Sequence, residues 1–510
     1  MVIVEVFAMR VPCGDSARNR ASGEWTGRTR IGGPRRRGNG LAKLAVTLSS
    51  SLMIESNRSS EIADLLRGRI KTMNAGDKLP GVRTLSATLH ASAGTVSAAL
   101  AELAAHGLVR SEPGRGTFVA EVGPNVDPDF AWQSQALGSK RVDEGRASRL
   151  GGYGGGGKIP LSWGYLASEL QPNDDIRRIT ARAAKSPHAW TMTDPTGLPE
   201  LRRVIAADFR ADPDDVLVVS GGQQALVSVL RTLAEPGATV LTESPTYPGA
   251  IIAAQSAGLR LASVPSDGGG VRVDALADAL ERTRARVVYL QPNFANPSGA
   301  VLTAERRLEV VELARRHGAF LVEDDWSRHL CLEGVTPAPL SALDPDGHIV
   351  TIVTLSKPVS PGMRVGAVIA RGPAGRRLRA SRTADDLCVA PLMQEAAVSL
   401  LTSNAWPRHL KRIRPELIAR RDALVSSLRA AMPELRIPIV PRGGLHLWAR
   451  LPDGVDSTAV CAAADTAGVL VGDGRHFFVD EPPASFLRFS FGAATPAQID
   501  EGVRRLSAVI

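Results

Sequence analysis

Short apolar runs alternate with helix-like stretches over residues 159–510, and this alternation constrains the fold more than any other feature. The runs are almost continuously apolar, which is typical of strands buried on both faces of a sheet. Helix-like stretches such as Ala304–His317 separate several of them. The predicted strands are Val216–Ser220, Thr239–Thr242, Val287–Gln291, Phe320–Glu323, Ile349–Thr354 and Arg364–Ala370. This order predicts an α/β architecture with a mostly parallel sheet.

Residues 57–120 follow a different pattern. Three groups of apolar residues recur at helical spacing, and Ser92 stands where it can cap the third helix. Two short β-type segments then flank the turn sequence Pro113–Gly116. The apolar positions are Ile62, Leu65, Leu66 and Ile70, then Leu85 and Leu89, then Val96, Leu100 and Leu103. Three short helices and a two-stranded wing predict a winged helix-turn-helix domain of α+β type.

The segments around this domain lack sustained periodicity. Residues 1–56 are rich in Arg, Gly and Ser, which predicts a disordered basic extension or, alternatively, a nonspecific phosphate-binding arm. Residues 121–158 end in the glycine-rich run 151–157, which predicts a flexible linker. We therefore expect four parts: an extension at 1–56, a winged helix at 57–120, a linker at 121–158 and a large domain at 159–510.

The positive charge is concentrated near the start of the chain. Residues 1–120 carry a net charge of +8, whereas residues 159–510 carry +1. This asymmetry predicts a polyanionic partner for the N-terminal end. The sequence has no apolar run of about 18 residues, which excludes a membrane span. It has no CxxC pair, which argues against a zinc ribbon or a disulfide framework. A cytoplasmic protein without a metal is expected.

The third predicted helix has short polar side chains at its N-terminal end, as a helix that enters a DNA major groove requires. Thr95 and Ser97 are expected on its exposed face, with Val96 turned inward. Arg83 begins the preceding helix, and Arg115 lies at the tip of the wing. Arg115 is placed to reach the DNA backbone or minor groove, and a docked helix also needs phosphate contacts around it.

Residues 76–119 resemble the DNA-binding domain of GntR-type bacterial transcription regulators. The resemblance rests on the starting sequence Gly-Asp-Lys-Leu-Pro, the stretch Gly-Thr-Val in the third helix and the wing Gly-Arg-Gly-Thr-Phe-Val. It implies double-stranded DNA as a partner and the following contacts: Arg83, Thr95, Ser97, Arg115 and Gly116. Ala93 departs from the family, which often has Arg there. A helix-turn-helix used only for protein contact is the alternative.

In the large domain, chemically useful side chains follow the predicted strands. Lys357 comes directly after the run Ile349–Thr354, where burial would lower its pKa and favour imine formation. Asp324 follows Phe320–Glu323, and carboxylates at strand ends are typical of a site there. Thr354, Ser356 and Arg364 are close enough in sequence to face one phosphate.

Other candidates are weaker when taken singly. Ser220–Gln224 joins a strand to a helix expected to begin near Gln224, and its glycines let backbone amides approach a phosphate. Tyr247 can stack on a flat ring, and Asn296 can donate to a phenolic oxygen, although its sequence also suits a plain turn. Arg488 lies in an apolar strand-like run and needs an anionic partner. A lysine, an acid, a phosphate cup and an aromatic ring are what pyridoxal phosphate (PLP) requires.

Taken together, these residues resemble the fold-type I PLP-dependent aminotransferases over about 340 residues. The resemblance implies a small C-terminal α+β subdomain beside the main sheet. It makes Lys357 the catalytic, Schiff-base lysine, Asp324 the partner of the pyridine nitrogen, Tyr247 the stacking ring, Asn296 the phenolate partner and Arg488 the clamp for a substrate carboxylate. The implied phosphate cup is Gly221, Gly222, Gln223, Thr354, Ser356 and Arg364. Trp326 departs from the family, which commonly has a cofactor-bonding Tyr there, so tuned catalysis is in question.

A GntR-type domain followed by an aminotransferase-like domain is the plan of the MocR subfamily of regulators, which this chain resembles. The resemblance implies a homodimer that uses PLP, with or without an amine or amino acid effector, to control transcription. Two alternatives stay open. One is a PLP-dependent aminotransferase with a secondary DNA-binding domain, and the other is a regulator whose large domain is a PLP-free dimer scaffold.

Overall fold

The computed structural model describes residues 58–120, 130–151 and 156–510. The predicted extension at 1–56 and part of the predicted linker lie outside the described residues. The chain divides into two compact units, one ending at Leu137 and the other beginning at Gly138. Among the described residues, no helix combines the length and apolar character needed to cross a membrane.

The first unit has the predicted helices and wing. Its helices are α1 (58–70), α2 (Val82–Thr88), α3 (Ala93–Ala105) and the short α4 (Ala131–Ala136), and its strands are β1 (Val109–Glu112) and β2 (Gly116–Val119). The two strands pair antiparallel, with Val109 opposite Val119. The predicted apolar positions other than Leu65 pack into one core, in which Leu66, Val96 and Leu103 are almost inaccessible. Leu65 was wrongly predicted as a core residue: it is 60% exposed, because it points away from the face of α1 that carries Ile62 and Leu66. A winged helix-turn-helix of α+β type is therefore confirmed.

The second unit is built on an eight-stranded sheet with the order β3-β10-β9-β8-β7-β4-β5-β6. The five strands from β9 to β5 pair in parallel, whereas β10 is antiparallel to both its neighbours and β6 is antiparallel to β5. The strands are β3 (Val216–Val219), β4 (Thr239–Ser244), β5 (Arg260–Asp267), β6 (Gly270–Val271), β7 (Val287–Leu290), β8 (Phe320–Asp324), β9 (Ile349–Thr354) and β10 (Gly366–Ile369). The predicted mostly parallel α/β sheet is confirmed.

Helices cover this sheet, and apolar clusters lie on both of its faces. They are α5 (Glu144–Gly151), α6 (Asn173–Ala183), α7 (Pro199–Phe209), α8 (Gly222–Leu233), α9 (Pro248–Ser256), α10 (Val273–Thr283), α11 (Ala304–His317), α12 (Gly372–Asp385) and α13 (Pro391–Leu401). Short 3₁₀ helices occur at Ser168–Leu170, Pro187–Trp190, Pro213–Asp215, Leu340–Leu343, Pro361–Met363 and Gly474–Phe477.

The long helix α14 (Ala405–Ala431) leads into a smaller subdomain. This subdomain has an antiparallel sheet of order β11-β13-β12, formed by β11 (His446–Arg450), β12 (Gly472–Asp473) and β13 (Phe486–Ser490). Helices α15 (Ser457–Thr466) and α16 (Pro496–Ser507) belong to it, and α16 packs on α14. The implied C-terminal α+β subdomain is thus present.

The predicted starts of helix α8 and strand β10, both near the carboxyl edge of the sheet, were each two residues off. Helix α8 begins at Gly222 rather than near Gln224, because Gly221 has a φ of 91° that ends the strand sharply and lets the helix start at once. The strand predicted from Arg364 begins at Gly366. Arg364 itself has a φ of 45°, in the left-handed region, so its backbone cannot continue a strand.

Candidate functional site

The carboxyl ends of the parallel strands place most of the predicted cofactor residues around one cavity, which we call the cofactor cavity. Ligands bind at this edge in open α/β sheets. Its lining is Tyr165, Gly222, Gln223, Leu226, Tyr247, Gln291, Asn296, Asp324, Trp326, Thr354, Ser356, Lys357, Arg364 and His446. All the predicted cofactor-binding residues except Gly221 are in this set. The structure thus brings together predicted cofactor residues that lie up to 142 positions apart in the chain, from Gly222 to Arg364.

Arg364 and the start of α8 form a cationic corner of this cavity. The Nη2 atom of Arg364 donates to the backbone oxygen of Ser220 at 2.7 Å, and Nη1 donates to Ser356 Oγ at 3.3 Å. Gly221 lies directly behind the guanidinium, where an added Cβ would be 2.9 Å from Nη2. The first-turn amides of a helix have no intrahelical acceptor. Together with Arg364 and Ser356, the amides of α8 can hold a phosphate.

Asp324 lies at the end of β8 with 4% of its surface exposed. Its Oδ2 atom accepts hydrogen bonds from Tyr289 Oη at 2.6 Å and from Gln291 Nε2 at 2.8 Å. Burial raises the pKa of Asp324 to about 6, although these two bonds act in the opposite direction. The carboxylate is therefore held in a fixed orientation, charged at neutral pH, in a site where a cationic ring nitrogen would offset its desolvation.

Lys357 follows β9 and points into the cofactor cavity. Burial and, secondarily, the charge of Arg488 lower the pKa of Lys357 to about 7, as the sequence predicted in direction. Its Nζ donates to the backbone oxygen of Gly164 at 3.0 Å and lies 3.5 Å from the ring centre of Tyr165. A substantial fraction of this amine is therefore unprotonated at neutral pH, the form that attacks a carbonyl.

Asn296 and Tyr247 occupy the other walls. The backbone N–H of Asn296 donates to Gln291 Oε1 at 2.8 Å, but its side-chain Oδ1 is buried without a hydrogen-bond partner among the described residues. The Tyr247 hydroxyl donates to Gln223 Oε1 at 3.2 Å. A buried amide oxygen or nitrogen without a partner is costly, so the Asn296 side chain is suited to a polar ligand atom.

Arg488 lies on β13 of the smaller subdomain, beside the residues that line the cavity. Its Nη2 donates to the backbone oxygen of Ser162, and its buried Nε has no partner among the described residues. Burial lowers the pKa of Arg488 to about 10. A desolvated guanidinium with an unmet donor fits an anionic group, and a carboxylate matches it in geometry.

Sequence reasoning missed four residues of this site. Tyr289 and Gln291 fix Asp324, and Tyr165 and His446 stand beside Lys357 and Trp326. Burial holds the pKa of His446 well below its usual range, and its Nδ1 lies 2.9 Å from Ser490 Oγ. Tyr289 and Gln291 lie in the predicted strand next to the one that carries Asp324, and this position could have indicated them. His446 lies within an apolar strand, a position typical of a core residue, so no local sequence feature indicated it.

Segment 162–165 closes the site from the side of the smaller subdomain. Gly164 is required there, because an added Cβ would lie 2.6 Å from His446 Cε1. Trp326, which replaces the family's Tyr, has 6% of its surface exposed, and its Nε1 has no hydrogen-bond partner among the described residues. Its ring centre is 5.3 Å from that of His446. The indole therefore contributes an apolar wall to the cavity.

In the first unit, Arg83, Ser97 and Arg115 are exposed, as predicted. Arg115 forms an ion pair with Glu112 at 2.7 Å, and Gly116, which follows it, has a φ of 120°. The prediction that Thr95 is exposed was wrong. It has 9% of its surface exposed, and its Oγ1 lies 2.7 Å from Ser92 Oγ, because both hydroxyls join the cap at the start of α3.

Comparisons with known proteins agree with both parts of this architecture. The family model "Aminotransferase class I and II" matches residues 158–506, and "Bacterial regulatory proteins, gntR family" matches residues 58–119. The uncharacterized HTH-type transcriptional regulator YdfD of Bacillus subtilis is 27% identical over 85% of this chain and 92% of its own length. The probable rhizopine catabolism regulatory protein MocR of Rhizobium meliloti is 26% identical over 87% of this chain and 91% of its own length.

Solved structures extend the likeness to the large domain. LysN, an alpha-aminoadipate aminotransferase from Thermus thermophilus solved with N-(5'-phosphopyridoxyl)-L-leucine, is 29% identical, with a TM-score of 0.70. The match covers 74% of this chain and 97% of LysN. Aminotransferases of this class depend on PLP, and the residues found here fit it: a phosphate corner, a buried carboxylate, a lysine of lowered pKa and the unmet polar atoms of Asn296 and Arg488. The chain therefore belongs to the aminotransferase class I and II family and, with its gntR-family domain, is a DNA-binding transcription regulator of the MocR type.

Proposed function

We propose that this regulator holds PLP at Lys357 and uses the loaded site, with an amine or amino acid as a second ligand, to control how a homodimer binds its operator. The observation that carries this proposal is the convergence of Lys357, Asp324 and Arg364 on one cavity, in a chain that also has a gntR-family domain. A cytoplasmic location belongs to the same proposal, since a transcription regulator must reach DNA.

Each residue of the cofactor cavity has a role in this proposal. Lys357 would hold the cofactor through its unprotonated Nζ, and Asp324 would pair with the pyridine nitrogen. Tyr247 would provide the stacking ring, and Asn296 would supply its unmet amide to the phenolic oxygen. The phosphate is held by Gly221, Gly222, Gln223, Thr354, Ser356 and Arg364. When bound, PLP supplies an electron-withdrawing ring for chemistry at an attached amino group.

Arg488 is proposed to bind the carboxylate of an amino acid ligand. To do so it must exchange the backbone oxygen of Ser162 for a carboxylate oxygen, while Lys357 gives up the oxygen of Gly164. Both oxygens belong to segment 162–165, so ligand binding at either residue alters the contacts that hold this segment. Arg488 lies in the smaller subdomain and Lys357 in the main one, which supports a shift of the smaller subdomain as the signal.

The operator contacts are proposed to come from Arg83, Ser97, Arg115 and Gly116. Thr95 acts mainly by holding the start of α3 through Ser92, so that its first turn is presented to the groove. Two such domains in a homodimer would read two half-sites, as helix-turn-helix dimers do.

The test combines absorbance with DNA binding. Full-length protein mixed with PLP should develop a visible Schiff-base band that Lys357→Ala lacks. Operator affinity should then change when PLP and a panel of amines and amino acids are added to wild type. Unchanged operator affinity across the whole panel would contradict the proposal, and no band in either protein would favour the PLP-free scaffold.

A second candidate, a PLP-dependent aminotransferase, is favoured by one observation: Lys357, Asp324 and Arg488 are all in place around the cavity. Steady conversion of an amino donor and a keto acid by the full-length protein would support it. The apolar indole at Trp326 argues against tuned turnover, because it has no acceptor and a single donor.

A further inference from the structure

A second cavity lies next to the cofactor cavity and shares Trp326 and Thr354 with it; we call it the lateral cavity. Its volume is about 380 Å³, near the lower end of the roughly 300–1,000 Å³ range of small-molecule sites. The lining residues that bear on a ligand include Ala207, Asp208, Phe209, Trp326, His329 and Trp406. Helix α7, the segment after β8, the facing ends of β9 and β10, and the junction of α13 with α14 enclose it.

The walls of the lateral cavity are largely apolar and include three aromatic side chains. Phe209 is in contact with the guanidinium of Arg328, whose Cζ lies 4.6 Å from the ring centre. Trp406 meets His329 edge-on at 5.1 Å between ring centres. Together with Trp326, these rings and the aliphatic residues around them suit a flat apolar body of one or two rings.

Two carboxylates and one guanidinium line the lateral cavity. Asp325 is buried, and its Oδ2 accepts from Arg328 Nη1 at 3.0 Å. Within 4 Å, Asp208 has only two basic neighbours among the described residues, Arg328 Nε at 3.8 Å and His329 Nε2 at 3.3 Å. Burial lowers the pKa of His329, so this imidazole is mainly neutral at neutral pH. Asp325 therefore pairs with Arg328, and Asp208, whose side chain is 46% exposed, keeps a carboxylate that can pair with a further cation.

We propose that the lateral cavity binds a small arylalkylamine, with its ring among Phe209, Trp326 and Trp406 and its ammonium group at Asp208. A protonated amine can pair with the Asp208 carboxylate, and the aromatic walls can take the ring. This site is separate from the proposed PLP site and does not depend on it. Its ligand binds without a covalent bond and without a carboxylate.

The lateral cavity is placed to influence Lys357. An occupant contacts the same indole, Trp326, that lines the cofactor cavity. It also contacts Trp406, whose ring centre is 6.0 Å from that of His409. His409 Nε2 lies 2.6 Å from the backbone oxygen of Pro358, the residue after Lys357.

The experiment is a calorimetric titration of full-length protein, freed of PLP by hydroxylamine, with tryptamine as the probe. Tryptophol is the matched neutral ligand, because it replaces the amine with a hydroxyl on the same indole-ethyl frame. Four variants accompany wild type: Asp208→Asn removes the proposed charge partner, Ala207→Trp fills the lateral cavity, Arg488→Ala alters the neighbouring PLP site, and Glu200→Gln removes an exposed carboxylate elsewhere on α7. Circular dichroism and thermal unfolding check that each variant is folded.

We expect saturable tryptamine binding in wild type, Arg488→Ala and Glu200→Gln, and none in Ala207→Trp. Asp208→Asn should weaken tryptamine about fivefold, the effect of a partly exposed ion pair worth ~1 kcal/mol, and should leave tryptophol unchanged. Absence of saturable binding at millimolar tryptamine would overturn the proposal. So would saturable tryptamine binding that survives Ala207→Trp, because the amine would then lie outside the lateral cavity. The Schiff-base band of Lys357 is measured separately, so failure of this site and failure of the PLP proposal are distinguishable.

Discussion

The two units of this protein carry their candidate functional residues in opposite environments. In the winged helix, Arg83, Ser97 and Arg115 are exposed on short elements within 33 residues of one another. In the large domain, the lysine and the acid of the cofactor cavity are enclosed, and their pKa values are shifted by burial. An exposed contact depends on its own side chain and the nearest turn, whereas an enclosed group depends on everything packed around it. Substitutions should therefore have larger effects in the cofactor cavity than on the wing.

The largest effect is expected from Arg364→Ala. This change removes the guanidinium that bonds Ser356 Oγ and the oxygen of Ser220 at the phosphate corner. Losing a charged hydrogen-bonding partner of a phosphate should cost about 2–3 kcal/mol, or roughly 30-fold to 150-fold in PLP affinity. Absorbance titration of the Schiff-base band measures it. Arg203→Ala, an exposed arginine paired with Glu200, is the control. Equal PLP affinity in both variants would contradict the assignment of Arg364.

A smaller effect is expected from pH. The pKa of Lys357 is lowered to about 7 by burial, so its reactive unprotonated fraction should rise as pH increases through 7 and then level off. The rate of band formation should accordingly be about tenfold slower at pH 6 than on the plateau above pH 8. Stopped-flow absorbance over pH 6 to 10 provides the curve. A rate that keeps rising up to pH 10 would show an ordinary, solvated lysine and would remove the contrast between the units.

On the wing, Arg115→Ala should weaken DNA binding only modestly. Arg115 is exposed and pairs with Glu112 at 2.7 Å, so a phosphate competes with that carboxylate for it. We expect a loss of about fivefold in affinity at low salt and a decrease of about one in the salt slope. Fluorescence anisotropy with a DNA duplex at several salt concentrations measures both. The matched variant is Arg110→Ala, which removes the other arginine paired with Glu112 and should leave the slope closer to wild type.

The smallest expected effects distinguish the roles of two nearby residues of α3, Thr95 and Ser97. Thr95→Ala removes a buried hydroxyl bonded to Ser92 and should lower the free energy of unfolding of the first unit by about 0.5–1 kcal/mol. Ser97→Ala alters an exposed position and should change that free energy by less, while weakening DNA binding. Urea denaturation and anisotropy of the two variants give the comparison. If Ser97→Ala were the more destabilising change, the division between capping and contact roles would be wrong.

Much of the fold and part of the site could be predicted from the sequence. The apolar runs gave six strands of the main sheet to within two residues, because strands buried on both faces must be continuously apolar. Lys357 and Asp324 were predicted because they follow such runs directly. Thr95 was misplaced, since a threonine at a helix start can face either the groove or its own cap, and local sequence does not distinguish them.

The sequence by itself determined the two-unit plan, the parallel sheet and the side chains that stand at strand ends, because strand, cap and turn signals are local. Only the tertiary structure decided that Tyr289 and Gln291 fix Asp324, that the oxygen of Gly164 meets Lys357, and that α7 and α14 enclose a second cavity beside Trp326. Burial and the charge of Arg488 lower the pKa of Lys357, and its amine also lies against the ring of Tyr165, so groups from distant parts of the chain act on it. No local sequence pattern indicates such contacts, because they form only when segments that are distant in the chain pack together.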